Sequence, residues 1–116
     1  MEKENAILDL SFEFALEVIA YCELLEEKKR FVLAQQLLKS GTSIGANVRE
    51  AQGAESKADF IHKLKIAAKE AEETDYWLLL CKHSPSYPNP DDLLEKLVPI
   101  KKLFSRIIST TKNNLR

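Results

Sequence analysis

Glycine and proline are scarce: the chain has three Gly and four Pro in 116 residues. So few backbone breakers leave room for long helices, and they exclude collagen-like and low-complexity architectures. Cysteine is also scarce. Cys22 and Cys81 are two lone thiols far apart in sequence, too few for a disulfide framework, and both fall on apolar helix faces where buried, reduced thiols are expected. No window approaches the roughly 20 apolar residues that span a bilayer, so no membrane partner is expected. The first residues, Met1 to Asn5, carry acids and no apolar run, so they are not read as a signal peptide; a cytoplasmic location is expected. An excess of charge is missing too: the net charge of −1 gives the chain no overall basic field to draw in nucleic acid or anionic lipid. Such binding would need a local patch, or a basic ring built by assembly. What remains is ordinary globular composition, 45% apolar and 30% charged, enough for one core in one domain spanning 1–116.

Apolar periodicity divides the chain into four helices, at about 5–28, 31–52, 57–83 and 91–112. The first carries Ile7, Leu8, Phe12, Ala15, Leu16, Ile19, Cys22 and Leu25 at three- and four-residue steps, and ends in the charged run 26–30. The second carries Ala34, Leu37, Gly41, Ile44, Val48 and Ala51 at strict 3-4-3-4-3 spacing. That seam runs straight through Ser40-Gly41-Thr42-Ser43-Ile44-Gly45-Ala46-Asn47, a stretch whose composition alone predicts a loop. Each Gly costs about 1 kcal/mol against Ala in a helix interior, so tertiary packing must offset it. Gly53 is expected to close the second helix and Ser56 to cap the third, with Asp59 near the positive end of its dipole. The third seam is Phe60, Leu64, Ala67, Ala71, Thr74, Leu78 and Cys81. Three prolines between Ser84 and Pro90 make a loop, with Asn89 or Asp91 as the next cap. The fourth helix carries Leu94, Leu97, Ile100, Leu103, Phe104, Ile107, Ile108 and Thr111. Pro99 predicts a kink or a break within it, and residues 112–116 are expected to fray. The fold class is all-α, an antiparallel up-down four-helix bundle.

Catalytic patterns fail on context. Gly41-Thr42-Ser43-Ile44-Gly45 matches G-x-S-x-G, but a nucleophile elbow works only at a strand-to-helix turn, and no strand pattern is present. Asp59-Phe60-Ile61-His62 is half of a carboxylate-x-x-histidine motif, with no second copy to complete a dinuclear site. No catalytic residue, metal or cofactor is therefore expected, and the chain does not read as an enzyme.

Two further faces exceed what a lone bundle needs. Ser40, Ser43 and Asn47 form a polar seam beside the core seam of the second helix, either solvated or meeting another helix or subunit. On the third helix Ile66 and Trp77 share one direction away from the Leu64 seam, with Leu80 nearby. An apolar group with the only Trp there points to a subunit interface built from Ser40, Ser43, Asn47, Ile66, Trp77 and Leu80.

The segments Gln36 to Ala51, Ser56 to Ala67 and Glu70 to Leu78 together resemble the signature of the bacterial 23S rRNA-intervening-sequence proteins. The resemblance implies a small bundle without known catalysis, related to the accessory variability proteins of diversity-generating retroelements. By that relation it implies a homopentameric ring that engages structured RNA or a nucleic-acid enzyme through a basic surface. The residues implied are Arg49, Lys57, Lys63, Lys65 and Lys69, although acids interleave these lysines here.

Overall fold

A computed structural model describes residues 5–114 of the chain. Four helices follow one another: α1 (Ala6–Glu27), α2 (Phe31–Ala51), α3 (Lys57–His83) and α4 (Asp91–Asn113). Each packs on the next and α4 returns to α1, while the diagonal pairs stay apart, which makes an up-down bundle 51 Å long. The α1–α2 and α2–α3 seams are the most extensive and α4–α1 the least.

The α2 seam lies where its heptad spacing places it. Ala34, Leu37, Gly41, Ile44, Val48 and Ala51 are all buried, and Leu64, Ala67, Ala71, Thr74, Leu78 and Cys81 face them from α3. The helix persists through the Gly/Ser stretch because α1 lies too close for larger residues. A Cβ on Gly41 would stand 2.8 Å from Val18 Cγ1, and one on Gly45 would stand 3.2 Å from the Ser11 carbonyl oxygen. Close helix approach recovers dispersion contacts that offset the poor propensity of glycine.

That approach also decides which face of α1 is inside, and here the expected seam is corrected. Ser11, Phe14, Val18 and Tyr21 are buried, whereas Phe12, Leu16 and Ile19 are exposed, Phe12 by 61%. The helix carries two apolar stripes: Ile7, Cys22 and Leu25 of the expected seam are buried and Leu8 packs on the core, but its middle, Phe12, Leu16 and Ile19, lies on the outer stripe. Only the stripe holding the small Ser11 can sit against Gly45, and the Ser11 hydroxyl is satisfied by donating to the Leu8 carbonyl at 3.2 Å.

The helix ends follow local chemistry. At the α1–α2 turn, Arg30 N–H donates to Leu25 O and Lys29 N–H to Glu26 O, both at 2.8 Å, a Schellman arrangement. Its left-handed position is occupied by Lys29 (φ 63), not glycine. Gly53, expected in that role after α2, has no positive φ; the chain leaves α2 through bonds such as Gly53 N–H to Glu50 O at 3.1 Å. Ser56 caps α3 as expected by accepting from Asp59 N–H at 3.0 Å, and Asp59 reaches back to Glu55 N–H at 3.2 Å. Asn89 accepts from Asp91 N–H at 2.8 Å just before α4. Pro99 does not break α4, which is continuous from Asp91 to Asn113. Pro99 and Glu95, the residue whose carbonyl loses its donor, are both exposed, so water can take the missing bond. Of the end expected to fray, residues 112–113 are helical, while Leu115 and Arg116 lie outside the described residues, as do Met1 to Glu4.

Candidate functional site

The polar seam of α2 divides. Ser40 is fully buried, with its Oγ 2.9 Å from Thr74 Oγ1, and Thr74 also donates to the Glu70 carbonyl at 2.8 Å. Ser40 therefore sits inside the chain between α2 and α3 and cannot reach a neighbouring subunit. Its position beside a core heptad was readable; its hydroxyl partner on another helix was not. Ser43 and Asn47 are half-buried and bond their own helix, Ser43 to Lys39 O at 2.6 Å and Asn47 to Ser43 O at 2.9 Å. Ile66 is half-buried and Leu80 exposed. Trp77 is half-buried on the core, its Nε1–H donating to Glu73 Oε2 at 3.0 Å and its ring edge-on to Tyr76 at 5.3 Å.

The basic residues named by resemblance do not form one patch. Lys63 pairs with Glu50 at 3.1 Å, and Lys57 reaches the Asn114 carbonyl at 3.4 Å. Arg49 lies across the bundle, lining a 440 Å³ groove between α1 and α2 with Phe12, Ala15 and Gly45. Lys65 and Lys69 do come together with a partner that sequence reasoning missed. Lys112 of α4 stands against Lys65, and that contact with its charge repulsion, then desolvation, and last repulsion from Lys69, holds the Lys65 amine below its ordinary range. Lys69, Lys101, Lys102 and Lys112 line an open groove of 650 Å³ between α3 and α4, together with Ser105 and Ser109. Lys101 is committed to Glu72 at 3.1 Å and to Asp75 at 3.7 Å. One signal was available: Lys101 and Lys112 are eleven residues apart, about three turns, and so share a face of α4.

The two buried thiols are not activated. Burial, then the neighbouring Cys81, pushes the Cys22 thiol up to about 12, and burial raises Cys81 as well. Such thiols stay protonated at neutral pH and are poor nucleophiles. Tyr21, also raised by burial, donates to the Pro88 carbonyl at 2.6 Å and ties the α3–α4 loop to α1. Ser43 of the G-x-S-x-G stretch spends its hydroxyl on a helix carbonyl. Among the described residues no group of His, Cys, Asp and Glu could hold a metal ion, and no helix is long and apolar enough to cross a membrane.

The model of the 23S rRNA-intervening sequence protein family matches residues 3–106. The chain belongs to that family. It is similar to a solved structure from Bacteroides thetaiotaomicron, a protein of unknown function from the S23 ribosomal protein family. The two share 45% identity over 89% of this chain and 98% of that one, with a TM-score of 0.83. No curated protein matches the chain. The match of this 23S rRNA-intervening sequence family member ends before Lys112, so one of the three converging lysines lies outside it.

Proposed function

We propose that this family member is a non-enzymatic, self-assembling helical bundle of the bacterial cytoplasm, a ring-forming scaffold for RNA or a partner protein. The observation that carries this reading is the exposed stripe Phe12, Leu16 and Ile19 on α1, which the core does not use. Clustered large apolar side chains on a surface mark contact sites, whereas single ones do not. A head-to-tail ring needs two different surfaces on each subunit. The second is the outward face of α3, where Ile66 is half-buried and Tyr76 and Leu80 are exposed, with the half-buried Ser43 and Asn47 of α2 as its polar counterpart. Light scattering should return a multiple of the 13.2 kDa chain, five by family resemblance. Leu16→Glu should lower that mass while helicity by circular dichroism is kept. A monodisperse wild-type monomer at micromolar concentration would sink the proposal.

The convergence of Lys65, Lys69 and Lys112 supports a second reading, sequence-tolerant nucleic-acid binding along the α3–α4 groove. Like charges left facing one another are compensated when phosphates insert between them. Binding of a structured RNA should weaken steeply with salt, and Lys65→Glu with Lys69→Glu should abolish it. Affinity that ignores salt, or none at low salt, would reject this reading.

A further inference from the structure

The cavity at the turn end of the bundle carries chemistry that neither reading uses. It measures about 590 Å³ and is lined by Lys29, Arg30 and Phe31 of the α1–α2 turn, Gln36 of α2, Trp77 of α3 and Tyr87 of the α3–α4 loop. We infer that this cavity binds a nucleoside monophosphate, the base stacking on Trp77 and the phosphate meeting Arg30 and the start of α2.

Arg30 is a cation with no counterion among the described residues. Its Nε is buried with no hydrogen-bond partner. Its guanidinium carbon lies over the Tyr87 ring, 5.0 Å from the centroid, within cation–π range. The start of α2 also lacks a side-chain cap and an acidic residue in its first turn, so its free N–H groups and dipole favour an anion at the same place. The indole of Trp77 donates to Glu73 and makes a T-shaped contact with Tyr76, two contacts that restrain the ring for stacking. The two turns that bound the cavity each hold a non-glycine residue in the left-handed region, Lys29 (φ 63) and Ser86 (φ 67). Free phosphate would leave the aromatic wall unused, and an uncharged ring would leave Arg30 unpaired. A base with its phosphate answers both, and the Gln36 amide offers a donor and an acceptor to the base edge.

The chain has a single Trp and it lies in this cavity, so its fluorescence reports binding directly. Titration of the purified protein with AMP should give a saturable change. Adenosine and inorganic phosphate should each bind at least about tenfold more weakly, since each lacks one half of the recognised group. Arg30→Gln, checked for retained helicity, should weaken AMP about tenfold or more, and the exposed Phe31→Ala should weaken it less. The ligand-side comparison stands even if the Arg30 variant fails to fold. No saturable change up to about 10 mM AMP would overturn the inference. So would phosphate binding as tightly as AMP, an acidic peptide competing better than AMP, or unchanged affinity in Arg30→Gln. None of these outcomes bears on the mass of the assembly, so the proposal of a ring and this one fail separately.

Discussion

Adding one methyl group at Gly41 sets two known quantities against each other. In an exposed helix interior, Gly→Ala stabilises by about 1 kcal/mol through backbone entropy. At Gly41 the new Cβ would stand 2.8 and 2.9 Å from the two methyls of Val18 and 3.3 Å from its Cβ. Val18 is fully buried, and a β-branched residue in a helix has one strongly preferred rotamer, so turning it only brings another group forward. Overpacking of this kind costs about 1–3 kcal/mol. The steric cost wins, and Gly41→Ala should destabilise by roughly 1 kcal/mol net, lowering Tm by about 4 °C for a chain of this length. Urea unfolding followed by circular dichroism measures it. The mechanism is tested by repeating the substitution in Val18→Ala, where both methyls are gone. There Gly41→Ala should change sign and stabilise by about 1 kcal/mol. Stabilisation in the wild-type background, or an equal penalty in both, would refute the close-packing account of the α1–α2 seam. Gly45→Ala is the contrasting case. Its obstacle is the Ser11 carbonyl oxygen at 3.2 Å, which is backbone, so no side-chain truncation at Ser11 should rescue it.

Three further outcomes follow from the helix ends and the core. Lys29→Gly should stabilise by about 0.5–1 kcal/mol, because the left-handed position of the Schellman turn strains any residue with a Cβ; a loss of stability in urea would contradict this. Ser56→Ala should cost about 1 kcal/mol by removing the acceptor for Asp59 N–H, and Ser56→Asp should restore most of it in the same assay. Alkaline pH should unfold the bundle. The folded-state pKa of Cys22 lies above its unfolded value, so the stability it contributes is complete below the ordinary thiol value of 9.0 and is lost as pH rises towards about 12. Melting temperatures should therefore fall above about pH 9, less steeply in Cys22→Ala, and a flat profile to about pH 11 would reject the burial account.

The helices were legible because their boundaries depend on local signals: Ser56 with Asp59, the prolines after Ser84, and the heptads of α2 and α3. The middle of the inner face of α1 was not, because there its two apolar stripes are nearly equal by spacing. The choice between them is made by Gly41 and Gly45 on a different helix. The surfaces were the least legible. Lys65 and Lys69 were visible on α3, but Lys112 is 43 positions beyond Lys69, and only the α3–α4 pairing joins them. Arg30, Trp77 and Tyr87 are likewise scattered over three elements and meet only at one end of the bundle.

The two stripes of α1 bear most directly on what the protein does. The fold requires Ser11, Phe14 and Val18, since only a narrow face fits against Gly41 and Gly45. It does not bury Phe12, Leu16 and Ile19, which stay 61%, 53% and 41% exposed. Within the stretch that looked like a loop or a nucleophile elbow, Gly41 and Gly45 thus draw α1 onto α2 with one chosen face. By doing so they turn the other apolar face outward. A bundle that had only to fold would gain solubility from charge at those three positions. Their apolar character is therefore surplus to the monomer, and that surplus is the strongest support the fold lends to assembly.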